Sequence, residues 1–174
     1  MRFLITSGLI VLLTLSIEQP ARAQSSDSWP QFRGNHQLTG FSSLALPERL
    51  KLRWTYQAED AIESSAAIVD GTVYVGSLSG DLIALDLESG REKWRYQADD
   101  GIGESSPAVE GEIVYVGDLS GVLHAVNTLT GKMHWTFKTE AEIRSSPVIA
   151  NNIVLIGSYD GYLYGLSKHD GTLV

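Results

Sequence analysis

Four histidines, a serine pair that comes back twice and a set of acidic loop residues are the groups in this chain whose types and spacing could do chemistry. His36, His124, His134 and His169 could ligate a metal through their imidazole nitrogens, but closed metal sites need ligands at short fixed intervals, and these four share none. They are read as dispersed surface histidines. Ser64-Ser65, Ser105-Ser106 and Ser145-Ser146 could supply nucleophiles. Their neighbours recur with them, however, and no Gly-x-Ser-x-Gly elbow, phosphate loop or triad spacing accompanies them, so a hydrogen-bonding role at the start of a strand fits better. No catalytic, cofactor-binding or metal-ligating residue is therefore assigned. The carboxylates Glu59, Asp60 and Glu63, then Asp99, Asp100 and Glu104, then Glu140 and Glu142 fall in three equivalent stretches. Such residues stay solvated, dock a basic protein partner or build a weak Ca²⁺ site. Arg144 stands where the first two stretches have Glu63 and Glu104, which allows an ion pair between neighbouring repeats.

The elements that must position these residues repeat with a period of about 40 residues, the mark of a propeller or a solenoid. Copies run over 54–93, 94–134 and 135–174, with Gly76, Gly117 and Gly157 in register, then Gly80, Gly121 and Gly161, then Gly90, Gly131 and Gly171. Valine, isoleucine and tyrosine fill four short runs per copy, as half-buried strands prefer. In the first copy these are strand A over 65–69, B over 72–76, C over 82–86 and D over 92–97. Asp70-Gly71, Gly111-Glu112 and Asn151-Asn152 are two-residue turns between A and B, where positive φ is required. No window has a 3.6-residue apolar period, so no helix is expected in the mature chain. A four-stranded antiparallel unit cannot bury both faces alone, and stacking such units around an axis solves that. The fold class expected is all-β: an open arc of about three β-propeller blades, each a four-stranded antiparallel sheet.

Ahead of the repeats, Arg2, the apolar run from Leu4 to Ile17 and Ala21-Arg22-Ala23 read as a signal peptide over 1–23, cut after Ala23. The run is short of the ~20 residues that span a bilayer, so no membrane anchor is expected. Cleavage removes Arg2, Arg22 and Glu18, taking the 13 basic and 21 acidic residues to 11 and 20, a net charge of −9. That balance excludes nucleic acid as a partner, because phosphate binding needs a basic stripe. Cysteine is absent, so packing alone holds the fold, and no lipid-modified cysteine tethers it. The expected location is periplasmic or secreted. Residues 24–49 read as an extended lead-in, and Leu50 to Gln57 as a strand around Trp54.

Ala84-x-Asp86-x-x-Ser89-Gly90-x-x-x-Trp94 and Ala125-x-Asn127-x-x-Thr130-Gly131-x-x-x-Trp135 resemble the tryptophan-docking motif of the PQQ-like (pyrroloquinoline quinone) repeat family. The third copy departs, with Gly165, Ser167 and Asp170 at the matching places. Ser28-Trp29-Pro30-Gln31-Phe32-Arg33-Gly34-Asn35 resembles the opening of many exported members. The resemblance implies that each tryptophan docks on an adjacent blade. It also implies comparison with quinoprotein dehydrogenases, which use a vicinal cysteine pair, a Ca²⁺ with acidic and amide ligands and an aspartate base. With no cysteine and no such ligand spacing, no cofactor is expected. The function implied is a non-catalytic scaffold that binds protein partners, similar to the propeller component of the outer-membrane β-barrel assembly machinery. The alternative is a fragment of a quinoprotein dehydrogenase whose active-site residues lie elsewhere. Closed propellers have about 4 to 8 blades. The sequence is therefore expected to be part of a longer one, with an aromatic residue, tryptophan first among them, following Val174.

Overall fold

The computed structural model describes residues 28–35, 37–45 and 47–174. The expected signal peptide and His36 lie outside the described residues. Among the described residues eleven strands follow in order: β1 Ala67–Val69, β2 Thr72–Gly76, β3 Asp81–Asp86, β4 Glu92–Gln97, β5 Ala108–Glu110, β6 Ile113–Gly117, β7 Val122–Asn127, β8 Met133–Lys138, β9 Val148–Ala150, β10 Ile153–Gly157 and β11 Leu163–Ser167. They form three antiparallel sheets with sequential neighbours, β1 to β4, β5 to β8 and β9 to β11. Among the described residues there is no helix. This is the partial propeller of about three blades that the repeats require.

The A–B hairpins turn where expected, with positive φ at Asp70, Gly71, Gly111 and Asn151. The first strand is shorter than the sequence suggests, starting at Ala67 and not at residue 65. The reason is lateral: the Ser65 N–H donates to the Ser106 hydroxyl of the next blade at 2.9 Å, and Ser106 N–H donates to Ser146 in turn at 3.0 Å. Backbone committed to a neighbouring blade is lost to the local ladder. Residues 50–57 form no strand either, because no ladder partner exists for them among the described residues. They keep the alternation of a strand nonetheless, with Trp54 and Tyr56 half-buried between exposed neighbours. The lead-in is not uniformly extended. After Trp29, which bridges Ile68, the chain curls through Arg33 and Gly34, both at positive φ.

Central strands are buried on both faces, and alternate residues feed opposite seams. Tyr74, Leu82 and Ala84 pack toward the second sheet with Val114, Val116 and Val126. Val73, Val75, Ile83 and Leu85 pack the other way, under Trp54 and Tyr56. Tyr115, Leu123, Ala125 and Trp135 join Val154, Ile156 and Leu166 at the next seam.

Glycine closes each seam. A Cβ at Gly90, Gly131 or Gly171 would lie 2.5, 2.8 and 2.6 Å from the indoles of Trp54, Trp94 and Trp135, so only glycine lets each ring lie flat on the C–D turn of the next blade. The indole N–H groups then donate to Leu87 O at 2.9 Å, Thr128 O at 2.8 Å and Lys168 O at 3.1 Å. These tryptophans are structural, each docked on an adjacent blade.

Candidate functional site

The D–A loops hold the acidic residues, and the backbone fixes their place. Leu78 N–H donates to Ala61 O, Leu119 N–H to Gly101 O and Tyr159 N–H to Glu142 O, each at 2.9 Å. Ile102 N–H and Ile143 N–H donate to Ser77 O and Asp118 O, each at 3.0 Å, tying the second and third loops to the preceding blade as well. All three loops therefore share one end of the sheets with the B–C turns, as one continuous rim.

Two arginines divide that rim. Arg95 pairs with Glu59 at 2.7 Å, with buried Asp81 at 3.0 Å and with Glu92 at 3.1 Å. Arg144 reaches back to Glu104 at 2.9 Å and holds Glu142 at 2.8 Å, which is the ion pair between neighbouring repeats that the sequence allowed. The backbone amide of Glu104 and the Arg144 guanidinium hold the Glu104 carboxyl below its ordinary value. Among the described residues Asp60, Glu63, Asp99, Asp100 and Glu140 make no ion pair. No three of the described histidine and acidic side chains converge on a point that could hold a metal, so the Ca²⁺ reading of these loops finds no ligand set here.

The recurring serines are structural, as their shared neighbours implied. Ser64 Oγ donates to Gly76 O at 3.2 Å and accepts from Gly76 N–H at 3.0 Å. Ser105 accepts from Gly117 N–H at 2.9 Å, and Ser145 repeats both bonds with Gly157.

His124 is not a surface histidine: it is 2% exposed. Its Nδ1 lies 3.0 Å from the Tyr96 hydroxyl of the preceding blade, and its Nε2 lies 3.0 Å from Oδ2 of fully buried Asp118. A neutral ring satisfies all three groups when Nε2–H donates to Asp118 and the Tyr96 O–H donates to Nδ1. Burial works against ionisation of Asp118. The bonds from His124, from Val122 N–H and from the Ser120 hydroxyl outweigh it and hold the carboxyl below its ordinary value. The signal was available, since His124 falls in the alternating apolar run Val122-Leu123-His124-Ala125-Val126 at the place of Ile83. Histidine inside a core pattern implies buried partners.

A quinone cofactor with its metal would need a cavity lined by acidic groups. Two hollows of about 360 and 210 Å³ among the described residues lie at the A–B and C–D end, away from the rim, and each has one carboxylate beside one cation: Glu88 with Arg53 around Trp54 and Leu87, and Asp70 with Lys93 around Trp94 and Tyr74. With no cysteine and no converging carboxylates, the described residues do not fit that group.

The family model described as outer membrane protein assembly factor BamB matches residues 43–116 and 99–174. Among solved structures, BamB from Moraxella catarrhalis is 28% identical, with a TM-score of 0.61 over 70% of this chain and 39% of that one. Quinohemoprotein alcohol dehydrogenases from Pseudomonas putida and Comamonas testosteroni are each 24% identical, with TM-scores of 0.75 and 0.74, covering 85% and 84% of this chain. At that identity they share the fold. The chain spans 26% of the length of each of these two dehydrogenases. No curated protein matches the sequence.

Proposed function

The chain belongs to the PQQ-like repeat family whose model is described by the assembly factor BamB, and from that premise we propose that it forms part of an exported, non-catalytic β-propeller that binds protein partners in the cell envelope. The observation that carries this reading is how the polar side chains are used. Recurring serines clamp glycines, tryptophan N–H groups dock on turns, and half-buried Tyr96 with buried His124 and Asp118 satisfy one another. Of the carboxylates without an ion pair among the described residues, Asp60, Glu63, Asp99, Asp100 and Glu140 stand on the rim, on loops braced by backbone hydrogen bonds, while Asp70, Glu112 and Asp170 lie in turns at the opposite end. A rigid acidic rim fits a partner that presents a basic face, and long-range attraction would steer its approach. The N-terminal run of apolar residues supports a periplasmic or secreted location. Among the described residues no helix is long and apolar enough to cross a membrane.

The likeness in fold to quinohemoprotein dehydrogenases supports the alternative, a segment of a quinoprotein oxidoreductase. One pair of measurements separates the two. The protein is titrated with pyrroloquinoline quinone and Ca²⁺ and assayed for dye-linked alcohol oxidation, and its binding to a cationic peptide is measured against salt. Salt-sensitive peptide binding with no dye reduction is the expected result. Saturable quinone binding with dye reduction would replace the scaffold reading by the enzyme.

A further inference from the structure

The two hollows at the A–B and C–D end differ in whether their charges engage each other. In the larger, Arg53 and Glu88 pair at 2.5 Å. In the smaller, of about 210 Å³ between the first and second sheets, Lys93 and Asp70 form no such pair. Lys93 Nζ donates to Thr72 Oγ1 at 2.7 Å and to Gly71 O at 3.3 Å, which leaves one of its N–H groups over, and Asp86 at 3.7 Å is beyond hydrogen-bond reach. Exposed Asp70 makes no ion pair among the described residues.

The second seam shows what this space holds when the chain itself fills it. There Lys168 stands in the place of Thr128 and Glu110 in the place of Val69, and the two pair at 2.6 Å. Tyr115 O–H donates to Lys168 O at 3.1 Å. In the first seam the two shorter side chains leave a hollow, and the equivalent Tyr74, 4% exposed, makes no matching bond to Thr128 O. Burial holds the Tyr74 phenol above its ordinary value, so its O–H remains a donor at neutral pH. The hollow therefore presents a buried donor, an ammonium, an exposed carboxylate and an apolar wall of Val69, Val109, Leu129 and Trp94.

A lone anion would meet Asp70, a lone cation would meet Lys93, and an uncharged ligand would leave both charges unmatched. A small molecule carrying both charges matches both. A cavity of about 150 Å³ holds a six-atom ring, so this one has room for about eight heavy atoms. We propose that the first seam carries a binding site for a small aliphatic α-amino acid, with its carboxylate on Lys93 and the Tyr74 hydroxyl, its ammonium on Asp70 and its side chain against Val109 and Leu129. The site is independent of the acidic rim, from which it lies apart.

The test is equilibrium dialysis of the whole chain against labelled L-valine, with the Trp94 indole N–H followed by NMR. L-valine should bind in a saturable way with a Kd below about 1 mM and shift the Trp94 resonance while leaving that of Trp135 in place. Isovalerate and isobutylamine, which each lack one of the two charges, should bind at least about tenfold more weakly. Lys93→Met should weaken binding by about tenfold or more, and so should Asp70→Asn, which keeps a residue that tolerates the positive φ at this turn. Thr128→Lys combined with Val69→Glu copies the second seam and should abolish binding without lowering the thermal unfolding temperature. No saturable binding of L-valine to the unsubstituted chain, equal binding of isovalerate or isobutylamine, or a shift at Trp135 in place of Trp94 overturns the inference. These three readouts use the unsubstituted chain and decide the matter even if a variant fails to fold. Cationic-peptide binding, measured in parallel, reports on the rim alone.

Discussion

At the seam between the first and second sheets, Tyr74 meets Trp94 with ring centroids 5.8 Å apart and planes at 47°; at the seam between the second and third, Tyr115 meets Trp135 at 5.7 Å and the same angle. The apolar half of the joint is copied. The polar half is not. The first seam holds Tyr96, His124 and Asp118, all hydrogen-bonded. In the second, Phe137 replaces the tyrosine and packs on Tyr164 at 5.4 Å, whose hydroxyl donates to Asp160 at 2.8 Å. The two differ again at the other end. Lys168 pairs with Glu110 at 2.6 Å and Tyr115 O–H donates to Lys168 O at 3.1 Å, whereas the first seam has Thr128 and Val69 at those places beside the 210 Å³ hollow. Burial, with Glu110 nearby, pushes the Tyr115 phenol up to about 12, so it remains a donor at neutral pH. Indole docking sets the spacing of the blades, and any polar group inside a seam need only find a local partner. Sequence can therefore drift at the polar positions while the joint stays the same.

The comparison breaks most readily at the rings. Trp94→Ala should cost about 3 kcal/mol by removing an indole from the first seam, and Trp135→Ala should cost at least as much because Trp135 is the more buried. Denaturant unfolding of both variants checks this, and a much smaller loss at either site would separate the two joints. His124→Ala should follow at about 3 kcal/mol, since it leaves Oδ2 of buried Asp118 without its partner, while Tyr164→Phe at the second seam should change stability far less.

The pH dependence sharpens the same contrast. Asp118 titrates below its ordinary value in the folded chain, so its contribution is fully present above the unfolded carboxylate value and is lost as pH falls through the folded one. The gap in stability between the unsubstituted chain and Asp118→Asn should hold constant above about pH 5 and shrink below about pH 4. A gap that widens on acidification would mean that the bonds to Asp118 do not outweigh its burial. Smaller still, Lys168→Ala should cost under about 1 kcal/mol, because the pair with Glu110 is partly open to water. The smallest effect on stability belongs to the rim: Arg144→Ala should leave thermal unfolding unchanged while cationic-peptide binding tightens, since Glu104 and Glu142 lose their counter-charge.

The sheets were legible because short-range chemistry dictates them. Asp70-Gly71 and its counterparts set the hairpins, and the recurrence of Ala84, Gly90 and Trp94 as Ala125, Gly131 and Trp135 set the docking. The pair between Arg144 and Glu104 could be read from repeat alignment alone. What the sequence did not disclose depends on a neighbouring blade. Strand β1 loses Ser65 to Ser106, and residues 50–57 lack a ladder partner. Trp29 reaches Ile68 across about 40 positions by backbone bonds, which carry no side-chain signature. His124 looks like a surface histidine beside the other three and like a core residue only beside Ile83, whose place it fills.

The central claim is that the sheets fan about a common centre with indoles laid on the next blade's turn. Hydrogen exchange of the indole N–H groups tests it most directly. Slow exchange is expected for Trp94 and Trp135, whose N–H groups donate to Thr128 and Lys168 carbonyls across the seams. Exchange as fast as that of a free indole at either position would contradict it.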